Sequence, residues 1–425
     1  MPAFYALIIY FSGLIIGNEL KPGIMTQFLI VGITFFLLYD SIRTRPSLVK
    51  FTIFTAIFLA GLIRATYPPI IVFPDEWFER FVMAIEPFKL RLIDGIGTGL
   101  DFRHKELIGG IILGRGSGEM NLQYWPHFIK SGMSHLLVAS GAQVSLCVFP
   151  LIALAENLNI PHYSRKLLYA AAAFLLFLLL LIVGVEPSIL RAITAGYLYL
   201  LARMINRRAR ALNIIYATAL LWLWVDPTLI SNRGFQLSYA ASWGLIYLYP
   251  RLRSIFPLKK ISKDQSLLKT ILRKIFIFAR EIFLLSFAAQ MAVMPVLAFN
   301  FHKLNPSGLL ANLIAIPLSE VIIYLGLATS LVAQISEIPA IWMGTVNGFF
   351  LNILDGIARI FSRMPVISYP LDNAVALLVP YILIALYIEA RFRPHGVINV
   401  LHYAQNILYP FDYFLRIGKV KAKKV

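Results

Sequence analysis

Apolar blocks about as long as a bilayer is thick recur along the whole chain, and they constrain its fold more than any other feature. They fall near 4–17, 25–40, 51–66, 133–155, 167–185, 188–203, 211–225, 234–249, 282–300, 308–333, 341–361 and 373–390. A helix needs about 17 to 25 residues to cross the hydrocarbon core. Between them the blocks make 59% of the residues hydrophobic and leave 14% charged, against roughly a quarter charged in a soluble domain. Helix is the only open-ended solution for such blocks, because a free strand edge in lipid leaves backbone groups unpaired. The chain therefore reads as an all-α polytopic membrane protein with roughly 10–12 transmembrane helices, some short, broken or re-entrant. Amphipathic interfacial helices complete the expectation. The first block lacks a basic leader and a small-residue cleavage site, and reads as a retained helix.

The formal charge of +18 is concentrated in connections. Arg43, Arg45 and Lys50 form one cluster and Arg203, Arg207, Arg208 and Arg210 another. The 250–281 loop, with Lys259, Lys260, Arg273 and Lys274, is a third, and the tail beyond Arg391 is a fourth. If every block spans once, all four lie on one side, which cation bias makes the cytoplasm. Four regions follow: helices at 1–66, an extracytoplasmic amphipathic segment at 67–130, a membrane domain at 131–390, and an interfacial helix with a basic tail at 391–425. Within the second region, EWFERFVMAIEPF and FRHKELIGGIILG are expected to lie along the membrane face and contact its lipids.

Several chemistries lack their residues. No G-x-x-x-x-G-K-[ST] phosphate loop occurs, so no ATP motor is expected, and no H-E-x-x-H or G-x-S-x-G is present. The histidines are scattered, so no metal or other cofactor is expected. Cys147 is the single cysteine and can form no intrachain disulfide.

What remains are polar groups inside the apolar blocks. Such groups are costly in lipid and usually face a bundle interior or a wet cavity. In SHLLVASGAQ, a regular helix puts His135, Ala139 and Gln143 on one face. Gly141 beside Ser140 permits a local break there, as in the interrupted helices of transporters. Arg191 stands on a face with Ser188, Ala195 and Tyr199, and Gln236 on one with Ala240, Gly244 and Tyr247. Gln290 follows Ser286 by one turn. Helix packing is the competing reading for each amide, since amides also join membrane helices. For His135 and Arg191 an imidazole or a charge adds a cost that packing does not require, although Arg191 has Glu186 close by in sequence as a partner.

SGMSHLLVASGAQVSLCVFPL resembles the H-L-L-x-x-S-G-x-H-V signature of the ComEC-type competence proteins, inner-membrane DNA-uptake channels of transformable bacteria. VGVEPSILRAITAGYLYL resembles their P-S-x-x-R-A helix, GFQLSYAASWGLIYLYPRL their G-F-Q-L-S helix, and SFAAQ with GLLANLIAIPL their A-A-Q and L-L-A-N-L-x-A-x-P-L stretches. The likeness covers roughly residues 109–330, with Gln143 where the family usually has a histidine. It implies a non-enzymatic permease in the bacterial cytoplasmic membrane that passes single-stranded DNA. His135, Ser140, Gly141, Gln143, Arg191, Gln236 and Gln290 would line or shape the path. Arg207, Arg208, Arg210, Lys259, Lys260, Arg273 and Lys274 would meet the emerging strand. The family's OB-like and metallo-β-lactamase-like domains have no evident counterpart here. A separate nuclease, a DNA receptor and a cytoplasmic helicase or motor are the expected partners, and an oligomer is possible. A membrane-embedded hydrolase or lipid-modifying enzyme using His135 with Ser140, or a small-molecule exporter, stays open as the alternative.

Overall fold

A computed structural model describes residues 2–20, 49–68, 70, 75–114, 125–138, 141–157, 161–184, 186–257 and 267–368. The helices are α1 (Pro2–Leu20), α2 (Val49–Arg64), α3 (Asp75–Ile96), α4 (Phe102–Leu113), α5 (Trp125–Lys130), α6 (Gly141–Asn157), α7 (His162–Val183) and α8 (Pro187–Met204). They continue as α9 (Ala211–Val225), α10 (Arg233–Trp243), α11 (Tyr249–Ile255), α12 (Leu267–Phe301), α13 (Ser307–Ala333) and α14 (Glu337–Phe361). Short 3-10 turns occupy Ser134–Leu136 and Pro227–Ser231, and a π turn at Gly244–Leu248 links α10 to α11. The strands β1 (Lys303–Leu304) and β2 (Ile367–Ser368) pair antiparallel, Lys303 opposite Ser368. The apolar blocks at 25–40 and 373–390, the Arg43–Arg45 cluster, Ser140, Lys259, Lys260 and the basic tail lie outside the described residues.

The chain is an all-α membrane protein. Among the described helices, Tyr163–Val183 of α7, Leu268–Phe301 of α12 and Ser307–Ala333 of α13 are long and apolar enough to cross a bilayer. Shorter apolar stretches run over Ala6–Asn18, Thr55–Arg64, Gln143–Glu156 and Ala211–Val225. Helix ends follow local chemistry. Asp226 stops α9, and its carboxylate accepts the Thr228 N–H at 2.9 Å. Asn232 caps α10 by accepting the Phe235 N–H at 3.0 Å. Pro187 opens α8 at a position where no amide donor is needed.

Packing groups the helices into neighbouring clusters. α6, α7 and α8 share Val144, Val148, Tyr169, Leu176, Ile189 and Ile193. α10 packs on both α8 and α12, and α12 on α13. A second core joins α4, α13 and α14 through Leu107, Ile111, Ala311, Ala315, Leu351 and Leu354. α1 and α9 meet at Tyr10, Leu14, Ala219 and Leu223.

Three sequence expectations are corrected here. First, FRHKELIGGIILG does not lie on a membrane face: Leu107 to Leu113 of α4 are all buried against α13 and α14. Its charges are confined to the first turn or so, and the run beyond is apolar or small all round, which suits burial on every side. Second, 133–155 is not one helix. Gly132 adopts φ +75°, and a Cβ there would stand 2.9 Å from the Gly308 Cα. The chain turns hard against the start of α13 at this glycine pair, and only glycine fits. His135 therefore sits in the 3-10 turn, on a different element from Gln143. Third, Arg273 and Lys274 are not on a loop. α12 begins at Leu267 and carries both as a helical extension.

Candidate functional site

Arg191 organises the polar interior. Placed one turn into α8, it reaches past the first residue of α6 to α10. Its Nη1 donates to the Ser238 carbonyl and to Ser242 Oγ. Gly141 makes that route possible: a Cβ there would lie 2.7 Å from Arg191 Nη2 and 3.3 Å from the Ala192 Cβ. The helix break and the arginine thus belong to one arrangement, with α6 starting where the guanidinium crosses it. Ser242 Oγ also donates to the Ser238 carbonyl at 2.9 Å.

The polar contacts continue along α10 into α12. Gln236 donates its Nε2 to the Ile230 carbonyl at 2.7 Å and accepts from Asn300 Nδ2 at 3.3 Å. Asn300 also donates to the Val296 carbonyl at 3.0 Å. Pro295 interrupts this part of α12 and frees the carbonyl one turn before it, at Met291. Further along, Gln290 donates to the Asn305 carbonyl at 3.2 Å, and Asn305 Nδ2 donates to the Ile129 carbonyl of α5 at 2.6 Å. Gln143, buried on α6, donates to the Ile111 carbonyl of α4. A seam of neutral donors with one cation therefore runs from α4 through α6, α8, α10 and α12 to α5.

The structure brings Gly141 and Arg191 into contact and sets Gln236 on the helix that receives Arg191. Gln143 and Gln290 join the same seam through other helices. His135 differs: it sits exposed in the 3-10 turn ahead of α6. Ser238, Ser242, Asn300 and Asn305 belong to the seam and were not singled out from sequence. The i, i+4 spacing of Ser238 and Ser242 was the available signal. Each amide of the seam bonds a main-chain carbonyl, so in this state the donors serve as joints between elements. Among the described residues no group of three or more His, Cys, Asp or Glu is placed to hold a metal ion.

One end of the bundle is knitted by ion pairs. Arg203 of α8 meets Glu156 of α6 at 2.8 Å, and Tyr199 donates to the same carboxylate at 2.8 Å. Glu281 of α12 takes Arg280 at 2.5 Å, Arg253 at 3.4 Å and the Tyr249 hydroxyl at 2.5 Å. Arg207, Arg208 and Arg210 lie on the α8–α9 connection beside this end. Elsewhere the buried Arg64 caps α9, donating to the Trp224 and Val225 carbonyls at 2.5 and 2.7 Å and to Tyr67 at 2.9 Å.

No solved structure matches the chain. It is 27% identical over 270 residues to ComE operon protein 3 of Bacillus subtilis (strain 168), across 62% of this chain and 32% of that protein. The chain thus spans about a third of the length of that relative. Residues 111–393 match the family described as Competence protein. That stretch holds the Ile111 carbonyl, the broken entry to α6, Arg191 and its serines, and the amides of α10 and α12. It takes in two thirds of the sequence and every residue of the seam, and on that match the chain belongs to the Competence protein family.

Proposed function

We propose that this protein is a multi-pass permease of the bacterial cytoplasmic membrane that passes single-stranded DNA inward during natural transformation. The observation that carries the reading is the family match, because it covers every residue of the seam. Elementary chemistry supports the pairing of such a seam with such a cargo. A path that accepts any sequence has no use for base-edge readout, and a row of strong phosphate clamps would hold the strand instead of releasing it. Neutral amides and hydroxyls with a single mid-bundle cation offer phosphate weak, exchangeable partners. In the closed arrangement those donors bond carbonyls, and a passing phosphate takes their place. Gly141 lets Arg191 present its charge at the helix break.

Cation bias puts the end bearing Arg203, Arg207, Arg208 and Arg210 in the cytoplasm, where these groups and those of the α12 extension meet the strand. The chain acts as a transporter and not as an enzyme. With no phosphate loop in the sequence, pulling comes from a separate cytoplasmic motor, with a nuclease and a DNA receptor as further partners.

A deletion strain tests this. Labelled DNA should still reach the periplasm while transformants disappear, and the wild-type gene but not Gln236→Leu should restore them at equal membrane abundance. Normal transformation in the deletion strain, or full rescue by the variant, would overturn the reading.

A further inference from the structure

The cytoplasmic ends of α7 and α8 border a recess of about 170 Å³ lined by five cations together with Tyr169, Met204 and Asn206. The two helices pack against each other and follow one another closely in the chain, so the start of α7 and the end of α8 lie side by side. Arg165 and Lys166 come from α7, Arg203 from α8, and Arg207 and Arg208 from the connection beyond it. Glu156 offsets Arg203 at 2.8 Å. Among the described residues no carboxylate pairs with the other four. Arg165 Nε is buried and has no hydrogen-bond partner. Four cations without a carboxylate partner on one wall leave a positive field that an anion entering the recess would offset. The volume equals several waters at about 30 Å³ each, enough for a phosphate group.

Its surroundings decide what carries the phosphate. α7 is a peripheral helix, with 17% of its most apolar stretch buried. On the flanks of the recess Leu167, Leu201 and Ile205 stand 61%, 55% and 60% exposed. These side chains are exposed on the outside of the bundle, while Arg191 bonds α10. An acyl chain can lie along them only if it enters from the bilayer. We propose that the recess is a headgroup site for an anionic phospholipid, with the phosphodiester held by Arg165, Arg207 and Arg208 and the chains against Leu167, Leu201 and Ile205. Such a site lies away from the seam and takes Arg207 and Arg208 for lipid where the function proposed above sets them against the emerging strand; the oligo-dT arm of the test decides between the two.

The test uses the full-length protein in nanodiscs of phosphatidylcholine, titrated with phosphatidylglycerol and read by native mass spectrometry. Arg165→Gln/Arg208→Gln should lower phosphatidylglycerol affinity about 25-fold, near fivefold per arginine, while Arg103→Gln, exposed at the start of α4, leaves it unchanged. Should the double variant not fold, Arg208→Gln on the connection carries the test alone with a fivefold loss. Equal affinity in variant and wild type overturns the proposal. So does glycerol phosphate competing as strongly as the whole lipid, which makes the ligand a free phosphate. Displacement of the lipid by oligo-dT also overturns it, since the recess would then serve the nucleic acid.

Discussion

Replacing Arg191 with methionine separates the two roles a mid-bundle arginine can have. A structural arginine leaves orphans when it is removed, and breaking a buried pair in that way costs about 3–5 kcal/mol. Arg191 leaves none. Both of its acceptors on α10 are already bonded to each other, Ser242 Oγ to the Ser238 carbonyl at 2.9 Å. Its two charge-assisted hydrogen bonds return roughly 1.5–3 kcal/mol each, against a desolvation penalty of several kcal/mol for the guanidinium. The terms oppose each other at similar size, and methionine fills much of the vacated volume. Arg191→Met should therefore change unfolding free energy by about 1 kcal/mol or less. Transport should respond differently. Bringing an uncompensated charge to mid-membrane costs about 2.5–3.5 kcal/mol on the insertion scale, and at 1.36 kcal/mol per decade that slows passage about 100-fold. The assays are thermal unfolding of the purified variant and transformant counts at matched membrane abundance. Wild-type transformation would refute the role given to the charge. A loss of 3 kcal/mol or more with uptake falling in step would make Arg191 a structural residue instead.

Gly141→Val should push the guanidinium off its serines, destabilising by about 1–3 kcal/mol through overpacking and lowering transformation as far as Arg191→Met does; the double variant should transform no worse than either single one. Arg64→Met removes the guanidinium from the Trp224, Val225 and Tyr67 carbonyls, of which Val225 keeps the Ile70 N–H at 2.8 Å, and should cost about 2 kcal/mol, visible as a lowered thermal midpoint with little effect on the seam. A double-mutant cycle on Gln236→Leu and Asn300→Leu should give a coupling of about 0.6–1.7 kcal/mol, the range for amide joints in membrane helices.

Helices were legible where apolar run and breaker coincide. The block read at 211–225 is α9 from Ala211 to Val225, because Asp226 and Pro227 stop it, and 188–203 is α8 to within a residue at each end. The break ahead of α6 was visible only as a possibility at Gly141, and the turn at Gly132 against Gly308 is a tertiary contact with no local signature. The start of α12 was missed because Lys269, Arg273, Lys274 and Arg280 interrupt the apolar run of its first turns, and charges at that density read as a connection. The site was legible as residue types and not as partners. Gln143, Gln236 and Gln290 all donate to main-chain carbonyls. Every residue carries such a carbonyl, so composition cannot say which one is used. Arg191 had a carboxylate at hand in Glu186 and instead bonds Ser238 and Ser242, because its place on α8 points it across the bundle.

The most direct measurement places a photo-crosslinking phenylalanine analogue at single positions in cells taking up labelled DNA. Gln236 and Asn300 mark the seam, and Leu245 and Phe299, 39% and 44% exposed, mark the outer surface near the same helices. Strand adducts at the first two positions and none at the second two are the predicted result. Adducts at the outer positions, or none at the seam while uptake proceeds, would contradict the account.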